Sequence, residues 1–501
     1  MTRLLETFMN SADDPNPRGE LDAAAWRFVL PGEVGSVLWR ASDRERDQRA
    51  LEGHATVVRS VGAVAPGPTD QFDLVVGDTS PPGDEPAPVV LTFDGRPGDR
   101  PHQQLLLRYV DDELRGVAPA DDPVACALLE RHVGPDGPVP LSLKRRLRGR
   151  RAGHRRSVTG ALSGTVPGPP AWVVAGAARA GIDVTRYSWA LWCRGDYGSQ
   201  KLVLFLVADG DTEPSMIVKI TRDPRFNERL VNESNVLRDI AHLEPDVRGG
   251  APALLFDTTA WGSVASAQSA ISGTDLRDRL RERPELVERV TTWLTGMAQA
   301  SRTPAGPEEV RACLDEMVDR YGRLYDVPPD VETFLREQVV ALASGDVFAV
   351  LQHGDPGPWN ALLTPDDTVA FLDWEAGEQR GLPLWDLLYF LRSTSLIVST
   401  RRPWESRRAR TKRDLVDGSP FGDVIAEQIR TYVDAVGLDP RAVAPLFHLC
   451  WVHRAVKQAG RLAPNQRSSG TFHRLVLDGV EGRNRPGLRR ITLHTEGSHD
   501  D

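Results

Sequence analysis

The chain has 501 residues, 40% of them hydrophobic and 26% charged, a length that predicts about two or three domains. A formal net charge of −9 excludes a nucleic-acid-binding surface spread over the whole chain. The four cysteines lie far apart, which excludes a disulfide framework. The amino terminus lacks the long apolar core of a signal peptide, and the apolar runs are too short to span a bilayer. We therefore expect a cytoplasmic protein with no nucleic-acid partner and no membrane span.

Residues 1–142 contain short apolar runs separated by polar turns. The runs are Gly35–Ala41, Ala55–Val61, Phe72–Asp78, Val89–Gly95 and Gln104–Asp112. Short runs rich in valine and leucine, without polar alternation, are typical of strands that are buried on both faces. The pattern predicts a small α/β domain.

The order of the first three runs is similar to that of a class I methyltransferase-like Rossmann domain. In that fold a glycine-rich turn after the first strand admits the cofactor. Here Trp39 is followed by Arg40, Ala41 and Ser42, and the second run has no acid at its end. The resemblance therefore implies a degenerate domain without a cofactor site, which serves a structural role or binds a partner protein.

Residues 143–168 begin with the basic stretch "LKRRLRGRRAGHRRS" and continue with a segment rich in proline and glycine. Dense like charges repel one another and cannot bury a face, so the segment is predicted to be a linker. Binding of a nucleic acid or an anionic membrane by the basic stretch is the alternative.

The next predicted unit, residues 169–272, contains three strand-like runs, the third of which carries Lys219, followed by a helical segment. The apolar residues of that helix recur at helical spacing: Phe226, Leu230, Leu237 and Ile240. Glu233 falls on the same stripe, and a lysine inside an apolar strand is costly to bury unpaired. The pattern predicts an ion pair between Lys219 and Glu233. The alternative is that both side chains reach solvent.

The segment "RGDYGSQ" lies between the first two of these runs. Gly195 and Gly198, with Ser199, would let the backbone approach phosphate groups. A plain hairpin turn is the alternative, and the segment has no Gly-Lys-Ser/Thr of a Walker loop.

The stretch "QHGDPGPWNALLTPDDTVAFLDWE", Gln352–Glu375, holds the densest set of polar residues beside apolar runs. Two short runs around the turn "TPDD" predict a hairpin whose ends bring Asp355, Asn360 and Asp373 together. Two carboxylates and an amide oxygen suit a magnesium ion and a general base. Either aspartate alone would be read as an ordinary turn residue.

The ordered set His353-Gly354-Asp355, Asn360 and Asp373-Trp374-Glu375, followed by "LPLWDLLYFL", resembles the aminoglycoside phosphotransferase and choline kinase family, which is related to the protein kinases. The resemblance covers about residues 169–482. It implies an α+β fold class: a bilobal protein-kinase-like fold with a β-rich small lobe (169–272) and a helical large lobe (273–485). The small α/β Rossmann-like domain would precede this fold, and residues 486–501 would form a C-terminal tail.

The resemblance also implies roles for individual residues. Asp355 would act as the base towards the attacking hydroxyl, and Asn360 and Asp373 would hold Mg²⁺ against the phosphates of ATP or GTP. His353 and Asp386 would support the catalytic loop.

The segment "AQSAISGTDL" falls where the hinge between the lobes is expected. Backbone groups near Gln268 and Ala270 would bind the adenine edge. No side chain there is assigned.

Two segments are candidates for the acceptor side. Ser399–Asp414 is strongly basic; it is either a solvated surface loop or a sign of an anionic or phosphorylated acceptor. The predicted helix His448–Gln458 carries Trp451, His453, Arg454 and Lys457, which either line the acceptor pocket or, for the tryptophan, pack in the core.

The sequence thus predicts an ATP-dependent phosphotransferase that acts on a hydroxyl of a small molecule. Two alternatives are a nucleotide-binding regulatory protein that recruits a partner through its N-terminal domain and a kinase with a protein substrate.

Overall fold

The structure, a computed structural model of the chain, forms two compact units. The sheet unit holds the described residues up to Val231 together with Ala253–Ala270, and the helical unit holds Asn232–Pro252 and the described residues from Ile271 onward. The structure describes residues 25–30, 36–39, 48, 51–52, 55–59, 74–77, 89–93, 102–110, 113–133, 155–163, 168–193, 200–460 and 462–494.

The described part of the sheet unit contains twelve strands in one sheet. They are β1 (Ser36–Trp39), β2 (Thr56–Arg59), β3 (Leu74–Gly77), β4 (Val89–Phe93), β5 (His102–Val110), β6 (Glu113–Pro119), β7 (Arg155–Ser163), β8 (Ser188–Trp192), β9 (Leu202–Val207), β10 (Met216–Ile220), β11 (Leu254–Ala260) and β12 (Ser263–Ser269). Its helices are α1 (Pro123–Val133), α2 (Ala171–Arg179) and the first residues of α3 (Asn227–Ile240), along which the chain passes into the helical unit.

The strand order is β11-β12-β10-β9-β8-β6-β5-β7-β4-β3-β1-β2. The pairs β1–β2, β1–β3 and β3–β4 are parallel, and the remaining pairs are antiparallel. The predicted apolar runs of the N-terminal part are therefore strands, and parallel pairing suits an α/β arrangement. The methyltransferase-like resemblance stays a prediction.

The predicted linker, residues 143–168, is wrong in its second part, because β7 lies there. This strand pairs with β5 over its whole length and with β4 on its other edge. The predicted domain boundary is also absent from the sheet, since β6 pairs directly with β8 (Gly116 opposite Trp192, Val117 opposite Leu191). The basic residues 143–154 lie outside the described residues.

The helical unit carries two small sheets, β13-β16-β17 and β14-β15-β18. Its strands are β13 (Thr274–Asp275), β14 (Thr303–Pro304), β15 (Phe348–Gln352), β16 (Ala361–Leu363), β17 (Val369–Phe371) and β18 (Glu378–Gly381). Its helices are α4 (Pro245–Arg248), α5 (Leu276–Arg279), α6 (Leu286–Ala300), α7 (Pro307–Leu324), α8 (Pro329–Ala343), α9 (Trp385–Val398), α10 (Arg407–Lys412), α11 (Pro420–Val436), α12 (Val443–Ala459), α13 (Thr471–Glu481) and α14 (Pro486–Ile491).

Helix α12 is buried on nearly every face and packs against α7, α8 and α13. A helix that is apolar all round belongs inside a core, and Trp451 is fully buried there. The core alternative for this tryptophan is therefore confirmed. Among the described residues, no helix combines the length and apolar character that a membrane crossing requires.

The predicted C-terminal tail, residues 486–501, is wrong at its start. Residues 486–491 form α14, in which Leu488 and Ile491 are buried. The apolar side chains at these two positions dock the helix against α11.

Candidate active site

The predicted hairpin is present in the helical unit. β16 and β17 pair antiparallel, with Ala361 opposite Phe371. Just beyond the last pair, the Leu372 N–H donates to the Asn360 carbonyl at 2.7 Å. Asp373 therefore lies one residue past the cross-strand partner of Asn360, at the same end of the hairpin.

Asn360 turns back onto Asp355. Its Nδ2 donates to the Asp355 carbonyl oxygen at 3.0 Å and to Asp355 Oδ2 at 3.2 Å. Because the amide nitrogen donates to these two acceptors, the Asn360 Oδ1 remains as the oxygen available to a cation. The loop between them forms a 3-10 turn in which the Asn360 N–H donates to the Gly357 carbonyl at 2.8 Å.

The bulky Trp359 does not disturb this loop. Its side chain is 44% exposed and lies over Gly357, where a Cβ would come within 2.3 Å of the indole. The indole meets the Tyr389 ring edge-on, with 6.3 Å between ring centroids. Gly357 thus makes room for the indole, while Asn360 still points at Asp355.

His353 and Asp386 hold the start of the loop, as the resemblance implies. The Asp386 carboxylate accepts from the backbone N–H of His353 at 2.5 Å and of Gly354 at 3.1 Å. Burial raises the pKa of Asp386 to about 6, although these two N–H groups oppose the shift by stabilising the anion. A buried carboxylate aimed at two amides fixes the backbone before Asp355.

The tautomer of His353 follows from its partners. Its Nε2 lies 2.8 Å from the Leu372 carbonyl, which can only accept, and its Nδ1 accepts from the Asp355 N–H at 3.2 Å. The ring is therefore neutral, with its proton on Nε2. Burial lowers the pKa of His353, in agreement with this state.

Gly354 has a conformation that only glycine adopts without strain. Its φ is +76°, and a Cβ would lie 1.9 Å from the Ala376 carbonyl oxygen. We expect Gly354→Ala to lower the free energy of unfolding by about 2 kcal/mol or more and to displace the loop. Denaturant titration and kcat measure the two effects. Gly345→Ala is the matched control, because the nearest atom to its Cβ lies at 3.5 Å; equal stability of the two variants would contradict this account.

Arg454 contacts Asp355 and Gly354, a contact that the sequence analysis did not predict. Predicted for the acceptor side, it donates from Nη2 to Asp355 Oδ1 at 3.3 Å and from Nη1 to the Gly354 carbonyl. Its Cζ lies 3.6 Å from the centroid of the Tyr389 ring. The signal was present in the sequence: an arginine on a helix rich in apolar residues needs a partner where it is buried.

The other predicted acceptor residues of α12 lie elsewhere. Trp451 and His453 are buried, and Lys457 Nζ lies 2.9 Å from Glu378 Oε1. Gln458 of this helix lines a cavity in the helical unit.

Asp373 has a left-handed backbone, with φ +69° and ψ 60°, and precedes the 3-10 helix Trp374–Ala376. Next to it, the Trp374 N–H donates to Glu233 Oε1 at 3.2 Å. Glu233 is buried, so it lies on the inward face of α3 as the stripe predicts. Aspartate and asparagine tolerate the left-handed region better than most residues.

The donor set fits Mg²⁺. Among the described residues no group of three or more carboxylate, histidine or cysteine side chains could enclose a metal. Magnesium uses one or two protein carboxylates and takes its other ligands from water and phosphate oxygens. The Asn360 amide oxygen and the half-buried Asp373 supply such a partial set.

The predicted nucleotide residues of the sheet unit are placed as follows. Lys219 is half-buried on β10, opposite Val203 and Ser266. It lies in a different unit from Glu233, so their ion pair stays a prediction. Residues 194–199, with Gly195, Gly198 and Ser199, lie outside the described residues.

The predicted adenine contacts near Gln268 and Ala270 stay a prediction, narrowed by two backbone hydrogen bonds. The Ser269 N–H donates to the Ala253 carbonyl at 2.8 Å, and the Ala270 N–H donates to the Ser215 carbonyl at 3.0 Å. These two N–H groups are engaged within the sheet unit and are not available to a ligand. The Gln268 side chain is buried, and its Nε2 has no hydrogen-bond partner among the described residues.

A cavity of about 670 Å³ lies in the helical unit beside the loop. Trp359 and Tyr389 form part of its wall, together with residues of α5, α9, α10 and α13. Because Tyr389 also packs on Arg454, which binds Asp355, the cavity opens next to the predicted catalytic carboxylate.

A sequence profile described as "Phosphotransferase enzyme family" matches residues 201–453, just over half of the chain. The chain belongs to this family. Membership confirms the predicted phosphotransferase class and the kinase-like fold. The comparison with curated proteins found no match.

Solved structures of low identity are similar to the chain. A choline/ethanolamine kinase family protein from Mesorhizobium loti is 18% identical and covers 60% of this chain and 91% of its own, with a TM-score of 0.38. An aminoglycoside phosphotransferase from Streptomyces rimosus is 14% identical and covers 58% of this chain and 97% of its own, with a TM-score of 0.34. A choline kinase from Streptococcus pneumoniae is 13% identical and covers 58% of this chain and 93% of its own, with a TM-score of 0.34.

Buried neutral histidines give this phosphotransferase a predictable response to pH. Burial lowers the pKa of His448 to about 3, while the unfolded chain titrates near pH 6.5. As pH falls below 6.5 the unfolded state binds the proton first, so each such histidine removes about 1.4 kcal/mol of stability per pH unit.

We expect His448→Gln to flatten the loss of unfolding free energy between pH 6.5 and 4.5, as measured by urea titration at several pH values. His242→Gln, at an exposed position, is the control for replacing a histidine by glutamine outside the core. Identical slopes for His448→Gln and the native protein would show that His448 is protonated in the fold.

Proposed function

We propose that the protein transfers the γ-phosphoryl group of ATP or GTP to a hydroxyl of a small molecule. The observation that carries this proposal is the Asp355 carboxylate, which is held by Asn360 on one oxygen and Arg454 on the other, beside a cavity. Family membership supports the transfer of a phosphoryl group.

Asp355 is the proposed base. A carboxylate has about four lone-pair sites, so Asp355 keeps acceptor capacity after Asn360 and Arg454 have each donated to it. It accepts a hydrogen bond from the acceptor hydroxyl and takes its proton as the oxygen–phosphorus bond forms. The bond between the γ-phosphorus and its bridging oxygen breaks, the nucleoside diphosphate leaves, and the proton passes from Asp355 to solvent.

Asn360 and Asp373 are the proposed magnesium ligands, through the amide oxygen and the carboxylate. A magnesium ion bound there would neutralise charge that develops on the phosphate oxygens. His353 and Asp386 are positioning residues, since the His353 ring accepts from the Asp355 N–H and the Asp386 carboxylate accepts from the Gly354 N–H. Lys219 stays the proposed phosphate ligand of the sheet unit.

The test is label transfer from γ-labelled ATP with Mg²⁺, with the full-length protein and a mixture of hydroxylated metabolites. We expect the label in a small molecule, identified by mass spectrometry, and a slow hydrolysis of ATP without acceptor. Nucleotide binding without transfer or hydrolysis would favour a regulatory protein. Label only in added proteins would favour a protein kinase.

A further inference from the structure

One side chain of the cavity wall is a buried cation. Arg392 of α9 is 8% exposed and lines the cavity. Its Nε is buried without a hydrogen-bond partner, and its guanidinium forms no ion pair with a described residue. The Cζ lies 5.1 Å from the centroid of the Phe472 ring, which offers only a weak cation–π contact. Burial lowers the pKa of Arg392 to about 10.

A buried guanidinium without a counter-charge is costly. The cost of removing an ion from water is offset only when a partner of opposite charge compensates. The nearby Arg454 has such a partner in Asp355, whereas Arg392 does not. An anion bound in the cavity would supply what Arg392 lacks, and a guanidinium binds phosphate or carboxylate through two parallel hydrogen bonds.

Positively charged side chains also outnumber negatively charged ones in the rest of the cavity wall. Among the described lining residues are two aspartates, Asp278 and Asp478, and the six arginines Arg277, Arg281, Arg392, Arg407, Arg408 and Arg474. Asp478 is already engaged, because Arg408 donates to its two oxygens at 2.7 and 3.1 Å. The cavity therefore keeps an excess of positive charge.

The basic segment Ser399–Asp414 contributes to this excess only in part. Arg413 is neutralised within the segment by Glu405 at 2.7 Å and Asp414 at 3.0 Å. Arg407 lines the cavity and forms no ion pair with a described residue. One charge of the segment, that of the exposed Arg407, therefore lies in the cavity wall.

We propose that the acceptor is a hydroxyl compound that also carries a phosphate or carboxylate group, and that Arg392 binds this anionic group with Arg407. The inference rests on the proposed function, because the cavity is assigned to the acceptor through its position beside Asp355. A polycationic acceptor would be repelled by the same wall.

Inorganic phosphate is the first probe, titrated by calorimetry into the full-length protein without nucleotide. We expect Arg392→Gln to weaken phosphate binding at least tenfold and Arg392→Lys, which keeps the charge, to weaken it less. Arg430→Gln on the exposed face of α11 is the matched control and should bind like the native protein. Absent binding, or equal binding by the native protein and Arg392→Gln, would overturn the proposal.

The second arm is label transfer to matched acceptors: glucose 6-phosphate, glucuronate, glucose and glucosamine, and the corresponding derivatives of ribose and inositol. Faster transfer to a phosphate- or carboxylate-bearing member supports the inference and shows which anion is preferred. Faster transfer to a neutral or amine-bearing member overturns it but leaves the proposed function standing. If no transfer and no ATP hydrolysis occurs, the proposed function fails, and the phosphate titration still decides whether Arg392 binds anions.

Discussion

Replacement of Asp355 by asparagine is expected to lower kcat by about 10²–10⁴-fold, the usual contribution of a general base. Asparagine keeps one side-chain oxygen, which can accept from Arg454, and Asn360 keeps its bond to the backbone carbonyl of residue 355. We therefore expect the loop to keep its shape while the proton acceptor is lost. Alanine is the poorer choice. It removes both side-chain acceptors, so that Arg454 and Asn360 each lose a hydrogen bond to residue 355 and a loss of stability would accompany the loss of turnover.

The measurement is single-turnover transfer from labelled ATP, together with unfolding free energies by denaturant titration. Asp434→Asn on the exposed face of α11 is the control and should retain native kcat. Native stability with lost turnover supports the assignment of Asp355. Full turnover in Asp355→Asn would refute it, and an equal loss of stability and turnover would make Asp355 a structural residue.

The part of the site that the sequence predicted is held together by local geometry. Asp355 and Asn360 are five residues apart, and the hairpin that aligns Asn360 with Asp373 needs only a short turn. Glu233 was likewise found from helical periodicity, which requires no knowledge of distant contacts. Such features follow from spacing alone.

The missed features depend on pairs that are far apart in sequence. Arg454 is 99 residues from Asp355, and nothing in the spacing of either residue indicates the other. Arg392 directly follows the apolar stretch "LPLWDLLYFL", and its burial is evident only from the packing of α9 beside Phe472. Strand β7 was predicted to be a linker because basic residues precede it in the sequence. Its partner strands, β4 and β5, lie far upstream, so local sequence did not indicate the pairing.

Replacement of Asp373 by asparagine is expected to lower kcat/KM by about 10³-fold, because a lost metal ligand removes several kcal/mol of charge stabilisation. Asparagine accepts the left-handed backbone of this residue, whose φ is +69°, so the hairpin should keep its form. Alanine would add backbone strain at that position, so the effect of the lost metal ligand could not be separated from the effect of the strain.

Nucleotide binding, measured by calorimetry with and without Mg²⁺, distinguishes a metal ligand from a merely structural residue. In the native protein Mg²⁺ should strengthen ATP binding, and in Asp373→Asn this strengthening should largely disappear while metal-free binding persists. Asp366→Asn, exposed at the turn of the same hairpin, controls for the lost charge and should behave like the native protein. An unchanged effect of Mg²⁺ on ATP binding in Asp373→Asn would show that this carboxylate is not a metal ligand. The proposed role of Asn360 would then need the same titration.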